Sequence, residues 1–231
     1  MKVIILAAGI GSRLGHNIPK ALVKLDSSTT ILQSQINSLK KYVTLRDLII
    51  VTGYKKELIK QRYKDFNFAV NRKYASTNTS KSLLNGLESV DIKEDIIYMN
   101  GDVIFDPEII QLILNNRDIN QICVNSEKVS EEEVKYSLDE IGNIKCLSKE
   151  VKEPLGEAVG INYINREYLA EFINCLKLCE DKDYHEKAVE FAIEKGIKFS
   201  PLNIESRFCI EVDFKEDLAK ATKIWKQVNN D

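Results

Sequence analysis

The first twenty-two residues constrain this chain more than any other segment. They run from Met1 through Leu6-Ala7-Ala8-Gly9-Ile10-Gly11-Ser12-Arg13-Leu14 to Pro19-Lys20-Ala21-Leu22. Val3 to Leu6 is a short apolar run, the pattern of a strand buried on both faces. Small residues follow at once: Ala7, Ala8, Gly9 and Gly11, with Ser12 behind them. They let the backbone come close to a ligand and turn its N–H groups toward it. Arg13 follows Gly11 by two positions, and Lys20 follows Pro19. A loop that offers bare amides and then two cations fits a polyphosphate. Open α/β sheets place their ligand crevice at such strand ends. A dinucleotide-binding fingerprint fails here, because Leu14 stands where its third glycine belongs.

This run resembles the signature of the nucleotidyltransferases that join a nucleoside triphosphate to a phosphorylated small molecule. That signature reads Leu-Ala-Ala-Gly-x-Gly-Ser/Thr-Arg-Leu, a short gap, then Pro-Lys. Leu6 to Leu14 and Pro19-Lys20 match it position for position. The resemblance implies that the backbone from Leu6 to Ser12 holds the nucleotide. It also implies that Arg13 and Lys20 work on its phosphates, with Mg2+ as cofactor.

At 231 residues the chain is long enough for one large α/β domain, expected to span 1–231. A hydrophobic fraction of 44% with 29% charged residues is that of a soluble globular protein. The net charge of -2 argues against a general nucleic-acid binder, so no nucleic acid is expected as partner. No apolar run is long enough to cross a membrane. The chain goes directly into a strand with no secretory pattern, which favours a cytoplasmic location. The five cysteines, at 123, 146, 175, 179 and 209, form no Cys-x-x-Cys pair and have no histidine near enough for a zinc site. Free thiols in a reducing compartment are expected.

Strand and helix patterns alternate through the first half, which implies a mostly parallel sheet. Helical spacing is expected over 30–43, 55–64 and 79–90, and strands at Leu48–Val51, around Phe66 to Val70, and at Ile96–Met99. Asp106-Pro107-Glu108 opens a helix. Short strands with polar punctuation follow over 120–125, 134–138, 144–148 and 158–164, with a turn at Gly142-Asn143. Helices over 166–178 and 184–195, strands over 197–203 and 208–212, and a helix over 214–228 complete the chain. The inferred fold is a single-domain three-layer α/β/α sandwich, Rossmann-like at first, with a mixed extension in the second half. The resemblance implies the same fold.

Asp102 ends a buried strand, after Gly101. A carboxylate there suits magnesium, which takes one or two carboxylates plus substrate phosphates. The resemblance implies that Asp102 and a late aspartate, matched by Asp213, hold the metal. Asp213 read alone is equally a helix N-cap, with Glu216 completing a capping box. Lys149 matches a lysine that approaches the acceptor phosphate, and Glu157 and Gly160 match a stretch that lines the acceptor pocket. Asn78 and Ser82 resemble the cytidylyltransferase branch acting on choline phosphate, inositol phosphate or 2-aminoethylphosphonate, which favours CTP. Asn78 or Thr79 equally suits a helix cap. Tyr184 and Glu186, with Glu157, offer carboxylates and an aromatic face to a cationic acceptor. The same residues also suit an ordinary helix start.

The expected reaction is nucleotidyl transfer to a small phosphorylated or phosphonate acceptor, with pyrophosphate released. A sugar-1-phosphate uridylyl- or guanylyltransferase is the alternative within this class. A GT-A glycosyltransferase and a non-catalytic nucleotide sensor are the alternatives outside it.

Overall fold

A computed structural model describes residues 1–15, 17–127 and 129–229. In chain order the elements are β1 (Lys2–Ala7), α1 (Ile31–Leu39), β2 (Leu48–Thr52), α2 (Lys56–Arg62), β3 (Asn67–Val70), α3 (Thr79–Glu88) and β4 (Ile96–Asn100). Then come β5 (Val103–Phe105), α4 (Glu108–Leu114), β6 (Asn120–Asn125), β7 (Lys135–Leu138), β8 (Ile144–Ser148) and β9 (Gly156–Ile164). The last are α5 (Arg166–Leu178), α6 (His185–Glu194), β10 (Phe199–Asn203), β11 (Cys209–Glu211) and α7 (Lys215–Asn229).

The main sheet runs β10-β6-β9-β4-β1-β2-β3. β9 lies antiparallel to β4 and β6, and the remaining pairs along this path are parallel. The hairpin of β7 and β8 joins through β7 to β9, which is the mixed extension read from the sequence. β1 is apolar at every inner position because both of its faces are covered. Val3, Ile5 and Ala7 pack toward α1, α2 and α4. Ile4, Leu6 and Ala8 pack toward α3, α5 and α6. Each fully buried Val, Leu or Ile contributes roughly 1.5–3 kcal/mol by leaving water, so β1 anchors both cores. The three-layer sandwich expected from the sequence is the observed fold.

One element has no counterpart in the sequence reading. Val103–Phe105 is too short to display a period, yet it forms β5 and pairs antiparallel with β11. A third apolar cluster sits behind this small sheet. Ile104 and Ile210 meet Leu14, Val23, Leu25 and Ala221 of α7 there. That pairing carries the late part of the chain back to the end of β4. No helix among the described residues is long and apolar enough to cross a membrane. The five cysteines are unpaired, and burial pushes the Cys179 thiol up to about 11.

Candidate active site

The carboxyl end of β1 opens into a cleft of about 320 Å³. Leu6, Ala7, Ala8, Gly9 and Gly11 form one wall, with Arg13 and Lys20 at its edge. Gly11 has φ +65°, a conformation that favours glycine, and a Cβ there would lie 2.8 Å from Lys20 Cβ. Lys20 therefore packs directly over the loop. Ser12 opens the short 3-10 turn Ser12–Leu14.

Asp102 follows β4, and its neighbour Gly101 donates its N–H to Leu6 O at 3.0 Å. The Asp102 carbonyl accepts from Val212 N at 3.1 Å, so the end of β11 is fastened beside it. This places Asp213 across from Asp102. Lys20 Nζ donates to Asp102 Oδ2 at 2.7 Å and also to Asp213 Oδ1. Arg13 Nη1 donates to Asp213 Oδ2 at 3.0 Å, and its guanidinium lies 5.6 Å from the centre of the Phe214 ring. Burial alone would lower the Lys20 pKa, but the two carboxylates outweigh it and hold the ammonium above its ordinary value.

The capping box read for Asp213 does not form. Asp217 Oδ2 accepts the backbone N–H groups of Asp213 and Phe214, at 3.1 and 2.8 Å. That leaves the Asp213 carboxylate to the two cations.

Glu211 completes an acidic triad with Asp102 and Asp213, one ligand atom from each lying within 4.8 Å of the others. Burial pushes the Glu211 carboxyl well above its ordinary value, and the charges of Asp102, Glu133 and Asp213 push the same way. The sequence reading missed Glu211. The signal was present: Glu211 and Asp213 stand two apart on an extended segment, and alternate residues share a face.

Lys149, Gly160, Tyr184, His185 and Glu186 also line the cleft. Lys149 Nζ sits 5.4 Å from the centre of the Tyr184 ring. Gly160 has φ +71°, and a Cβ there would lie 2.7 Å from Asn100 Nδ2. His185 is buried, with Nε2 3.1 Å from Asn100 Oδ1 and its ring edge-on to Tyr98. Burial pushes its pKa down, with Glu186 opposing. His185 Nδ1 and Glu186 Oε2 lie 3.4 Å apart, and neither has a hydrogen-bond partner.

Two sequence-derived residues take other positions. Glu157 is buried in β9 but does not line the cleft, and its Oε2 accepts from Ser130 N at 2.9 Å. Ala158 lines the cleft in its place, and Gly160 lines it as expected. Asn78 lines the cleft, but both functions of its amide are engaged. Oδ1 accepts from Thr79 N at 2.9 Å as the N-cap of α3, and Nδ2 donates to Lys182 O at 3.1 Å. Ser82 Oγ accepts from Asn71 Nδ2 at 3.0 Å and stays on the cleft wall.

The chain is similar along most of its length to the CTP:phosphoglutamine cytidylyltransferase of Campylobacter jejuni. The two are 24% identical over 252 aligned positions, which cover 94% of this chain and 98% of the relative. The choline-phosphate cytidylyltransferase of Streptococcus pneumoniae is 42% identical over 89 residues, covering 36% of this chain and 38% of the relative. The fold matches the inositol-1-phosphate CTP transferase from T. maritima with a TM-score of 0.80 at 16% identity, over 98% of this chain and 96% of that one. Residues 3–171 match the MobA-like NTP transferase domain, and the chain belongs to this family of nucleotidyltransferases.

Proposed function

We propose that the protein transfers a cytidylyl group from CTP to a small phosphorylated or phosphonate acceptor. An oxygen of the acceptor attacks the α-phosphorus, the bond from that phosphorus to the β-phosphate bridging oxygen breaks, and pyrophosphate leaves. The nucleophile is already an anion, so no general base is required. The obstacle is repulsion between anions, and positioning with fixed charge is what a protein supplies against it.

The observation that carries this reading is the cleft's two cationic stations. Arg13 and Lys20 border the amide-rich loop, and Lys149 lines the same cleft beside Tyr184. Arg13 would take the β- and γ-phosphates, Lys20 the region between the α-phosphate and the acceptor, and Lys149 the acceptor anion. Lys20 and Arg13 lie directly against the triad of Asp102, Glu211 and Asp213. Its donors are hard oxygens, and Asp102 Oδ1 is buried with no hydrogen-bond partner, so the residues present fit Mg2+. When bound, such an ion would supply positive charge to the phosphate oxygens.

CTP is favoured by the cytidylyltransferases among the relatives. Ser82 accepts from Asn71 and keeps its own hydroxyl proton for a base carbonyl. The acceptor is read from charge. Six carboxylates and three Lys or Arg side chains line the cleft among the described residues, although both substrates are anions. Glu186 is 8% exposed, lines the cleft, and meets no lysine or arginine among the described residues. A cationic group on the acceptor would pair with it, as in choline phosphate or 2-aminoethylphosphonate. A polyol or inositol phosphate would instead hydrogen-bond to it.

The test is a pyrophosphate-release screen with Mg2+, pairing CTP, UTP, dTTP, ATP and GTP with amino-, trimethylammonio- and polyol-phosphate acceptors. CTP ahead by tenfold or more in kcat/KM supports the assignment, and UTP or a purine triphosphate ahead by tenfold overturns it.

A further inference from the structure

Lys20 is placed to do more than touch phosphate. Its ammonium bridges Asp102 Oδ2 and Asp213 Oδ1, two of the three carboxylates that would hold a divalent ion. Its side chain is largely covered, so this bridge is a settled part of the structure and not a passing surface contact. The ammonium takes one acceptor site on each of these two carboxylates and fixes a positive charge beside the free Asp102 Oδ1, where a metal would approach. The third carboxylate, Glu211, makes no ion pair with Lys20.

We infer that Lys20 is a tethered counter-ion that competes with the divalent cation for Asp102 and Asp213, so that metal and nucleotide must bind together. The inference rests on the Mg2+ reading above. Lys20 lies over Gly11, with only a glycine between its stem and the amide-rich loop. Released from the aspartates, its ammonium has the phosphate station directly beside it. A triphosphate arriving with its own cation gives Lys20 a new anionic partner while the cation takes the old ones. A metal arriving alone would have to displace Lys20 with no such compensation. The two cations also repel strongly at this range, because the cleft is partly shielded from water.

The test is direct Mn2+ binding, followed by electron paramagnetic resonance on the whole protein after chelator treatment. The forms compared are the unaltered protein, Lys20→Met, Lys20→Arg and Lys20→Met combined with Asp102→Asn. Without nucleotide, Lys20→Met should bind Mn2+ at least tenfold more tightly than the unaltered protein. Lys20→Arg should stay close to the unaltered protein, and adding Asp102→Asn should remove the gain. Lys20→Gln serves the same purpose if circular dichroism shows that the methionine variant does not fold. Equal or weaker Mn2+ binding by the variant lacking the ammonium, with Mn2+ bound in the presence of CTP, overturns the competition and leaves the metal reading intact. No Mn2+ bound by any form, with or without CTP, overturns both.

Discussion

Replacing Asn78 with alanine separates a base-reading role from a scaffolding one. The Asn78 amide caps α3 through Thr79 N and ties that helix start to Lys182 O in the loop before α6. Four further bonds stitch the same two segments together: Asn78 N to Asp181 O at 2.7 Å, Ser80 N and Oγ to Asp183 O at 3.3 and 2.7 Å, and His185 N to Thr79 Oγ1 at 3.0 Å. Losing a cap costs about 1 kcal/mol. Losing a neutral side-chain hydrogen bond costs about another 1 kcal/mol. The sum of about 2 kcal/mol should lower Tm by roughly 4–8 °C in a domain of this size. Because both ends of the amide already hold backbone partners, the ratio of kcat/KM for CTP to that for UTP should change by less than about threefold, whereas losing a base contact costs roughly tenfold or more. Calorimetry and the two-nucleotide assay decide the matter. An unchanged Tm with a tenfold collapse of the CTP preference would refute the reasoning and make Asn78 a reader of cytosine.

Asp213→Asn should reduce turnover by on the order of a hundredfold while leaving Tm nearly unchanged, because Asp217 and not Asp213 closes the start of α7. Asp102→Asn should reduce it further, and full activity in both would place the metal elsewhere. Glu186→Gln should raise KM for an amino-phosphate acceptor by about tenfold, from the loss of a charged hydrogen bond, and leave a polyol phosphate unaffected; steady-state kinetics with both acceptors checks this. His185 is held below its ordinary value of 6.5, so the unfolded chain binds its proton first. Stability should therefore fall as pH drops below about 6.5, by at most about 1.4 kcal/mol per pH unit from this group. Urea unfolding at pH 7.5, 6.5 and 5.5 should show that slope, and His185→Gln should flatten it.

The polyphosphate loop was legible because its chemistry is local. Small residues, an arginine and a lysine at fixed spacing sit on consecutive backbone, and no distant partner is needed to read them. The early strands were legible for a related reason, since burial on both faces leaves an unbroken apolar run such as Leu48–Val51. The same property hid the orientation of Glu157. Every residue of β9 is buried, so no polar alternation sets its phase, and the sequence could not say which residues face the cleft. Of the two residues expected to line the acceptor pocket, Gly160 lines the cleft and Glu157 does not, with Ala158 in its place. The choice at Asp213 between cap and charge partner was undecidable from spacing, because Glu216 and Asp217 both lie within reach of the helix start. Only the bonds from Asp217 settle which carboxylate does the capping.

β5 was hidden by its length, and its pairing matters for how the site holds together. Three residues cannot show a period, yet β5 and β11 meet through three paired positions: Phe105 with Cys209, Ile104 with Ile210 and Val103 with Glu211. β5 begins directly after Asp102, and the N–H of Val212, at the end of β11, closes on the Asp102 carbonyl. Both aspartates and Glu211 therefore sit on the rim of this small sheet, not on the large one. Their mutual distance depends on the apolar cluster of Leu14, Ile104, Ile210 and Val212 behind it. Leu14 also ends the turn that carries Arg13. A single patch of packing thus sets the spacing of the carboxylates and the placement of the cation that faces them. Local spacing carries the loop's chemistry, but the geometry of the acidic triad comes from tertiary packing between segments about a hundred residues apart.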